Sequence, residues 1–380
     1  MTGTLLQSRP AEESAADPLL ATVVTSPPDG LHSWVVVDSL ADGMAMGGTR
    51  MTESVTEDEV KNLARAMTTK LALAGLPIGG AKAGIRAVPG RRDETLRAFG
   101  RSVAPLLHGG VYLGCDLGTT HADRDVFFAE AGYDVLRDTR IPRLPTDWAD
   151  FWKPLVDITG YGVSVGTLAA VDSRSDTGSC RVAVQGFGTV GRAVAKTLEN
   201  HGHRIVAVAD VEGTVHDPRG LPVADLLAAT NSAGTIDRGR LPDSVTVHGE
   251  PEAWLDVDAD VLVLAAAGDA VRADNVDRIR ARIVVEGGNL CCTAEAKKAM
   301  AARGVALVPD VVANVGGAAV TGCVLTGTVP YDLPHKEMVN WLFDWVGDRV
   351  RRNSEDVLEI AAAGSADPVS DLLAHRAKAR

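Results

Sequence analysis

The fold is indicated by one stretch, RVAVQGFGTVGRAVAKTLENHGHRIVAVAD (181–210). RVAVQ (181–185) is a short apolar run typical of a buried strand, and the hexapeptide GFGTVG (186–191) follows it at once. A helix-like segment runs to Asn200, and RIVAVA (204–209) predicts a second strand that ends at Asp210. A strand, a G-x-G-x-x-G turn, a helix and a second strand, in that order, are what a dinucleotide-binding fold requires.

The chemistry of this stretch favours NAD. Glycines permit a tight turn and a close approach to a pyrophosphate, whose charge the helix N-terminus stabilises. Asp210 is suited to accept hydrogen bonds from ribose hydroxyls and would repel a 2′-phosphate, so we expect NAD rather than NADP. The alternative is a glycine-rich turn in another α/β protein. The candidate cofactor residues here are Gly186, Phe187, Gly188, Thr189, Val190, Gly191 and Asp210.

Strand and helix patterns also occur on both sides of this stretch. DVLVLA (260–265), RIVVE (282–286) and VALVP (305–309) predict further strands separated by helix-like pieces, hence a mostly parallel sheet. Nearer the start, SWVVVDS (33–39) predicts a strand. Thr56 then opens a helix, with Glu59 completing the capping-box pattern. Its apolar positions recur every three or four residues, at Val60, Leu63, Met67 and Leu71.

These patterns predict an α/β protein of two domains. The first domain comprises residues 1–155, and residues 156–329 form a Rossmann-type NAD-binding domain. Residues 330–380, which include an amphipathic helix from Pro334, pack back on the first domain. The length of 380 residues agrees with two to three domains at roughly 150 residues each.

Composition narrows the class of protein. A chain that is 46% hydrophobic and 23% charged is ordinary for a globular protein, and a net charge of −12 argues against nucleic acid as a partner. The five cysteines show no CxxC or Cys/His spacing, so we expect reduced thiols and no metal site. We find no apolar run long enough to cross a membrane and no signal or transit peptide, and expect a cytoplasmic protein.

Three further residues could carry chemistry in the first domain. Lys70 lies at the edge of the buried helix stripe, and Lys82 lies in LPIGGAKAGI (76–85), read as a glycine-rich loop. Two ammonium groups in one cleft would each lower the other's pKa, so one could bind a carboxylate while the other acts as a base. A solvated surface charge is the plainer interpretation of either lysine. Asp116 by itself fits a turn-capping residue before Gly118.

The chain resembles the glutamate/leucine/phenylalanine/valine dehydrogenase superfamily of NAD(P)-dependent amino-acid dehydrogenases, which convert an L-amino acid to a 2-oxo acid and ammonia. The matching segments run in order along most of the chain and are GGTRM (47–51), MTTK (67–70), GLPIGGAKAGI (75–85), DLGTT (116–120), TGYGV (159–163), VQGFGTVG (184–191), EGGN (286–289) and PDVVANVGG (309–317). The resemblance implies an enzyme that binds a small amino acid or 2-oxo acid and forms a homo-oligomer. It also implies that residues 1–155 are the substrate-binding and oligomerisation domain, with a cleft between it and the NAD-binding domain.

The resemblance also implies residue roles. Lys82 would activate water and Asp116 would exchange protons with the amine, which makes these two the catalytic candidates. Lys70 would hold the substrate α-carboxylate. The other substrate-binding candidates are Met46, Gly47, Gly48 and Asn314, the last near either the ribose or the substrate amine; the other cofactor candidates are Thr159, Ala266 and Asn289.

The residue before the glycine pair suggests the substrate. Members resembling glutamate dehydrogenase have a lysine there for the side-chain carboxylate, whereas this chain has Met46. Burying a second carboxylate without a cation is costly, so we expect an apolar L-amino acid, branched-chain first and aromatic second. The nearest branch is therefore taken to be the leucine/valine/phenylalanine dehydrogenases.

Departures from the family pattern leave alternatives open. Trp148, Phe151 and Trp152 lie in an unusual segment (142–163), where they either pack a hinge or line an enlarged pocket. Leu290-Cys291-Cys292 also departs from the family's usual residues. An unusual amino acid of a secondary-metabolic pathway is one alternative, and a non-catalytic NAD-binding homologue is another. Retention of Lys70, Lys82 and Asp116 together argues against the second.

Overall fold

The computed structural model describes residues 17–141, 148–174, 178–266 and 268–378. These residues divide into two compact units. The first comprises the described residues up to Trp148 together with Ala318–Met338. The second comprises Ala149–Gly317 together with Val339 onward. The α/β fold class with two domains is confirmed.

The first unit is built on a five-stranded mixed sheet in the order β1-β2-β4-β3-β5. β3 pairs in parallel with both β4 and β5, whereas β1, β2 and β4 pair antiparallel. Its strands are β1 (Leu20–Ser26), β2 (Leu31–Val37), β3 (Ala45–Thr52), β4 (Gly79–Arg86) and β5 (Val111–Cys115). Its helices are α1 (Glu57–Ala74), α2 (Arg92–His108) and α3 (His121–Glu130).

The helix predicted from Thr56 is confirmed as α1. The Thr56 hydroxyl accepts a hydrogen bond from Glu59 N, and the four predicted stripe residues are all buried. The segment around Lys82, expected as a loop, is instead the central strand β4. Gly80 serves helix packing, because a Cβ there would lie 2.2 Å from Thr68 N of α1. A close approach of α1, rather than a turn, therefore explains this glycine.

The second unit contains a seven-stranded sheet in the order β12-β11-β10-β6-β7-β8-β9. Its strands are β6 (Arg181–Gln185), β7 (Arg204–Asp210), β8 (Gly213–His216), β9 (Thr246–His248), β10 (Val261–Leu264), β11 (Ile283–Glu286) and β12 (Ala306–Val308). The remaining helices of the chain are α4 (Trp148–Trp152), α5 (Ile158–Asp172), α6 (Thr189–Asn200), α7 (Val223–Ala229), α8 (Ala294–Ala302), α9 (Asp310–Ala313), α10 (Gly316–Leu325), α11 (His335–Ala362) and α12 (Pro368–Lys378).

The strand order of the second unit is that of a Rossmann sheet. Five strands, from β12 to β7, are parallel, and β6 lies at the centre between β10 and β7. The chain continues from β6 to β7 on one side of β6 and later places β10 on its other side, so the strand order reverses between β6 and β10. Ligands bind at this position in such sheets. The antiparallel strands β8 and β9 extend the sheet beyond β7. All five strands predicted for this region are present.

The C-terminal helix differs from its expected place. We expected residues 330–380 to return to the first domain, but from Val339 onward the chain packs within the second unit. The Phe343 ring contacts Tyr161 of α5 edge-on at 5.2 Å, and Arg351 pairs with Asp172 at the end of α5. The apolar face of α11 thus covers α5, while Ala318–Met338 belongs to the first unit.

Residues Asp150–Asp172 are long and apolar enough to cross a membrane by length and composition alone. However, 61% of an 18-residue apolar window within this stretch is buried inside the protein, as in the core helices of soluble proteins. Within it, α5 packs against α6, α9 and β11, and Phe151 is buried against the edge of the Trp152 ring. Burial of Phe151 agrees with a packing role for that residue.

Candidate active site

The first unit brings Lys82 and Asp116 together. Lys82 lies on β4 and is 3% exposed, and its Nζ is 3.1 Å from Oδ2 of Asp116, which follows β5. The turn after Asp116 is held by the Thr119 hydroxyl, which accepts a hydrogen bond from Asp116 N. The Asp116 carboxylate therefore does not cap this turn, as the plainer interpretation had it, but faces Lys82.

The glycine pair of β3 lies between these two strands. A Cβ on Gly47 would lie 1.6 Å from Ala81 O, and one on Gly48 would lie 2.8 Å from the Cβ of Asp116. Any side chain at either position would push its neighbouring strand away. The glycine pair therefore sets the spacing that lets the Lys82 and Asp116 side chains meet across β3.

Arg50 is a residue of this cluster that the sequence analysis missed. Its Nε donates to Oδ2 of Asp116 at 2.9 Å, and its NH1 donates to the Glu59 carboxylate on α1. Side chains two apart on a strand share a face, so Arg50 lies on the same face of β3 as Gly48, but β3 itself was not predicted from the sequence. Asp116 is thus held by one permanently charged guanidinium and one lysine.

The electrostatics of the cluster follow from burial and charge. Burial by itself would raise the pKa of Asp116, but Lys82 and Arg50 outweigh it and lower the pKa to about 2. Burial lowers the pKa of Lys82, and the cations Arg50 and Lys70 lower it further, against the attraction of Asp116. The site therefore holds an ionised carboxylate beside a lysine that gives up its proton readily.

Lys70 and Met46 lie in the same unit. Lys70 is buried on α1, with 5% of its surface exposed, and its charge acts on Lys82. Met46 is buried on β3. A Cβ built on Gly322 of α10 would lie 3.5 Å from the Met46 sulfur, 3.4 Å from the Leu71 side chain and 2.6 Å from the Leu76 side chain, so these three side chains surround the same point. The surroundings of Met46 are therefore apolar.

The glycine turn of the second unit has room for a side chain at only one of its three glycines. Gly186 has a φ of +93°, and a Cβ there would lie 2.6 Å from Ala265 O. A Cβ on Gly191 would lie 2.0 Å from Gly186 O, whereas one on Gly188 meets nothing within 4 Å. Gly188 therefore borders open space at the N-terminus of α6. Of the neighbours in the motif, Phe187 is buried in the core, Thr189 is exposed and Val190 is partly buried.

Asn289 and Asn314 meet beyond the ends of β11 and α9. Asn314 Nδ2 donates to Asn289 Oδ1 at 3.1 Å and to Gly287 O at 3.3 Å. Asn314 Oδ1 is buried and accepts no hydrogen bond from the part of the chain that the structure describes. An orphaned buried acceptor beside the glycine turn fits a bound polar ligand such as a dinucleotide.

Thr159 and Ala266 complete the set of predicted cofactor residues. Thr159 Oγ1 accepts from Gly317 N at 3.1 Å, which ties the start of α5 to that of α10. Ala266 follows β10, and its Cβ would lie 2.8 Å from a Cβ on Gly186. Ala266 therefore lies at the carboxyl end of a parallel strand, and Thr159 lies at the start of a helix.

Asp210 does not offer the free carboxylate that the NAD prediction assumed. It ends β7, but its side chain is 2% exposed and makes a two-pronged ion pair with Arg238. It also accepts from Ile236 N at 2.7 Å and Glu212 N at 2.8 Å. Burial opposes ionisation of Asp210, but these donors lower its pKa. All of these donors belong to the chain itself, and the contact of Asp210 with a ribose stays a prediction.

Comparison with known proteins agrees with this geometry. A family model described as Glutamate/Leucine/Phenylalanine/Valine dehydrogenase matches residues 155–355, and one described as Glu/Leu/Phe/Val dehydrogenase, dimerisation domain, matches residues 21–132. The chain belongs to this family, as the motifs predicted. It is an amino-acid dehydrogenase by family, and nicotinamide nucleotides are the cofactors of that family.

Individual relatives are glutamate dehydrogenases. That of Thermotoga maritima is 35% identical over 298 residues, covering 75% of this chain and 70% of that protein. The NADP(+)-dependent enzyme of Pyrobaculum calidifontis is 34% identical over 331 residues, covering 83% and 75%. The hetero-hexameric glutamate dehydrogenase of Thermus thermophilus, in its Leu-bound form, has a TM-score of 0.77 at 28% identity, covering 97% and 91%. None of these three is named for a branched-chain or aromatic substrate.

Proposed function

We propose that the protein catalyses the reversible oxidative deamination of an apolar L-amino acid, branched-chain first and aromatic second, to its 2-oxo acid and ammonia. The observation that carries this proposal is the Lys82–Asp116 pair, with Lys70 beside it. A bound nicotinamide dinucleotide supplies the hydride acceptor in this chemistry. The turn at Gly186–Gly191 and the Asn289–Asn314 pair are the groups of the second unit suited to hold it.

The side chains of the first unit divide the remaining work. Lys70 holds the substrate α-carboxylate as a point charge. After the Cα–H bond breaks and the substrate becomes an iminium, neutral Lys82 takes a proton from water at Nζ, and the hydroxide adds to Cα. The proton passes from Nζ through Asp116 to the nitrogen. Neutral Lys82 then takes the proton of the new hydroxyl group as the C–N bond breaks, which releases ammonia and leaves the 2-oxo acid. Asp116 stays ionised in the resting site and stabilises Lys82 when it becomes charged.

Met46 and its apolar neighbours support the proposal of an apolar substrate. A glutamate side chain placed beside Met46, Leu71 and Leu76 would bury a carboxylate among apolar groups, at a cost of several kcal/mol. Under this proposal the substrate of the glutamate dehydrogenases named above is not the substrate of this chain. The predicted preference for NAD over NADP stays a prediction, and the engaged carboxylate of Asp210 weakens its basis.

A substrate panel tests the proposal. Reduced nicotinamide is followed by absorbance at alkaline pH with valine, leucine, phenylalanine, tryptophan and glutamate, each with NAD and with NADP. We expect the highest kcat/KM with a branched-chain amino acid and little activity with glutamate. A preference for glutamate would overturn the substrate assignment. Turnover with none of them would favour an unusual amino acid or a non-catalytic homologue.

The proposal includes a cytoplasmic homo-oligomer. The match of residues 21–132 to a dimerisation domain and the hexameric relative support assembly through the first unit. Light scattering at several protein concentrations tests this assembly. A monomer at all concentrations would refute it.

A further inference from the structure

The Asp210–Arg238 pair joins two loops of the second unit. Both terminal nitrogens of the Arg238 guanidinium donate hydrogen bonds to the Asp210 carboxylate, and NH1 also donates to Ile236 O. A weaker contact of 3.4 Å links NH2 to Gly213 O. The Arg238 side chain is 16% exposed, against 2% for Asp210. The cation is therefore the more accessible member of the pair.

The loop that carries Arg238 also touches the glycine turn. A Cβ on Gly234 would lie 2.8 Å from Phe187 O and 3.0 Å from Gly188 N. Arg192, on the first turns of α6, donates to Asn231 O at 3.2 Å. Residues 231–238 thus run from the glycine turn to the end of β7. In Rossmann folds the adenosine ribose of the dinucleotide lies between these same two features.

We propose that Arg238 sets the dinucleotide specificity of this chain by cancelling the charge of Asp210, so that the ribose subsite accepts NADP about as well as NAD. The inference rests on the dinucleotide binding contained in the proposed function. It makes Arg238 a positioning residue, because it acts through Asp210.

The physical reason lies in the charge that a 2′-phosphate brings. An unpaired aspartate at the end of β7 accepts ribose hydroxyls and repels a 2′-phosphate, which selects NAD. A planar, permanently charged guanidinium bound by two prongs removes both effects, because the carboxylate oxygens are occupied and their charge is offset. Glu212, with its carboxylate 3.5 Å from the guanidinium and 60% exposed, is screened by solvent.

Direct binding tests the inference without requiring turnover. The full chain is titrated calorimetrically at fixed ionic strength with NAD, NADP, 5′-AMP and 2′,5′-ADP. We expect the two dinucleotides to bind within about ten-fold of each other. In Arg238→Met we expect NADP and 2′,5′-ADP to bind at least about ten-fold more weakly, while NAD and 5′-AMP bind as tightly as before or more tightly, because the freed Asp210 carboxylate can accept ribose hydroxyls. Arg240→Met removes an equal charge from the same turn at an exposed position and serves as the matched control.

A second variant separates charge cancellation from a direct phosphate contact. In Arg238→Met/Asp210→Asn the site is neutral again, and we expect NADP binding to recover most of its loss. An unchanged NAD/NADP ratio in Arg238→Met, or no recovery in the double variant, would overturn the inference. A wild-type chain that binds NAD more than about a hundred-fold better than NADP would also overturn it. Failure of the substrate panel leaves these binding results interpretable, so the two proposals fail separately.

Discussion

Lys82 and Arg50 converge on the same oxygen of Asp116, at 3.1 Å and 2.9 Å. β3 carries Arg50 and separates the two strands that lead to Lys82 and Asp116, so the glycine pair Gly47-Gly48 is what allows the convergence. Two cations on one buried carboxylate keep it ionised and leave the lysine prone to lose its proton. A carboxylate beside a lysine whose pKa is lowered suits proton transfer to and from water and an amine.

Replacing Lys82 with alanine removes the proposed base but leaves Asp116 paired with Arg50. We expect kcat to fall by about 10²–10⁴-fold, because general base catalysis contributes that much, while NADH still binds. Steady-state rates and NADH fluorescence titration measure the two effects. Lys61→Ala, at a partly exposed position on α1, is the control and should keep its rate. Unchanged activity in Lys82→Ala would refute the assigned role.

The pH dependence of the rate should change when the charge of Arg50 is removed. Its charge lowers the pKa of both Lys82 and Asp116, so Arg50→Met should raise both pKa values. Because the neutral form of Lys82 is the active base, we expect the rising limb of the kcat/KM profile to move to higher pH, by about one unit. Glu59→Gln removes the second partner of Arg50 but keeps its cation, and should move the limb much less. Equal shifts in both variants would contradict this account.

The strands of the second unit and the order of its motifs could be predicted from the local sequence. Each predicted strand is a short apolar run, and the glycine turn lies between two of these runs in the sequence. β4 was mistaken for a loop because Gly79 and Gly80 are turn-prone in isolation. In the folded chain α1 packs so closely on β4 that only glycine fits at residue 80. Tertiary packing overrode local preference there.

Long-range ion pairs were beyond prediction from patterns. Arg50 and Asp116 are 66 residues apart, and Arg238 and Asp210 are 28 residues apart, so no period or spacing links them. The partner of α11 was missed for a similar reason. An amphipathic helix shows which face is apolar but not which element covers that face.

The glycines of the turn should separate stability from binding. Gly188→Ala adds a methyl group where nothing lies within 4 Å, so the fold should keep its stability. Dinucleotide binding should weaken by about ten-fold or more, because the methyl group occupies the space the pyrophosphate approaches. Gly186→Ala, at a φ of +93° and against Ala265 O, should instead lower the unfolding temperature. Thermal melts and NADH titration distinguish these outcomes, and equal loss of stability in both variants would contradict them.

Glu286, the first residue of the EGGN motif, should act as the support of the loop that carries Asn289. It is fully buried, accepts from Cys292 N at 2.8 Å and Asp310 N at 3.2 Å, and pairs with Lys297 Nζ at 2.7 Å. Removing the cation in Lys297→Met leaves a buried carboxylate uncompensated. We expect the free energy of unfolding to fall by about 3–5 kcal/mol.

The pH dependence of this loss identifies its cause. Burial raises the pKa of Glu286 even with Lys297 present, and loss of Lys297 raises it further. In the folded variant Glu286 then keeps its proton at pH values where the unfolded chain has released it. The free energy of unfolding should therefore fall as the pH rises above the ordinary glutamate pKa of about 4.3. It should level off once the pH passes the raised pKa of Glu286 in the folded state. Urea unfolding at pH 6 and pH 8 measures the trend. Glu286→Gln/Lys297→Met should abolish it, and Lys298→Met, exposed on the same helix, should match the parent. A loss in Lys297→Met that is independent of pH would show that packing, and not the buried charge, is what Lys297 supplies.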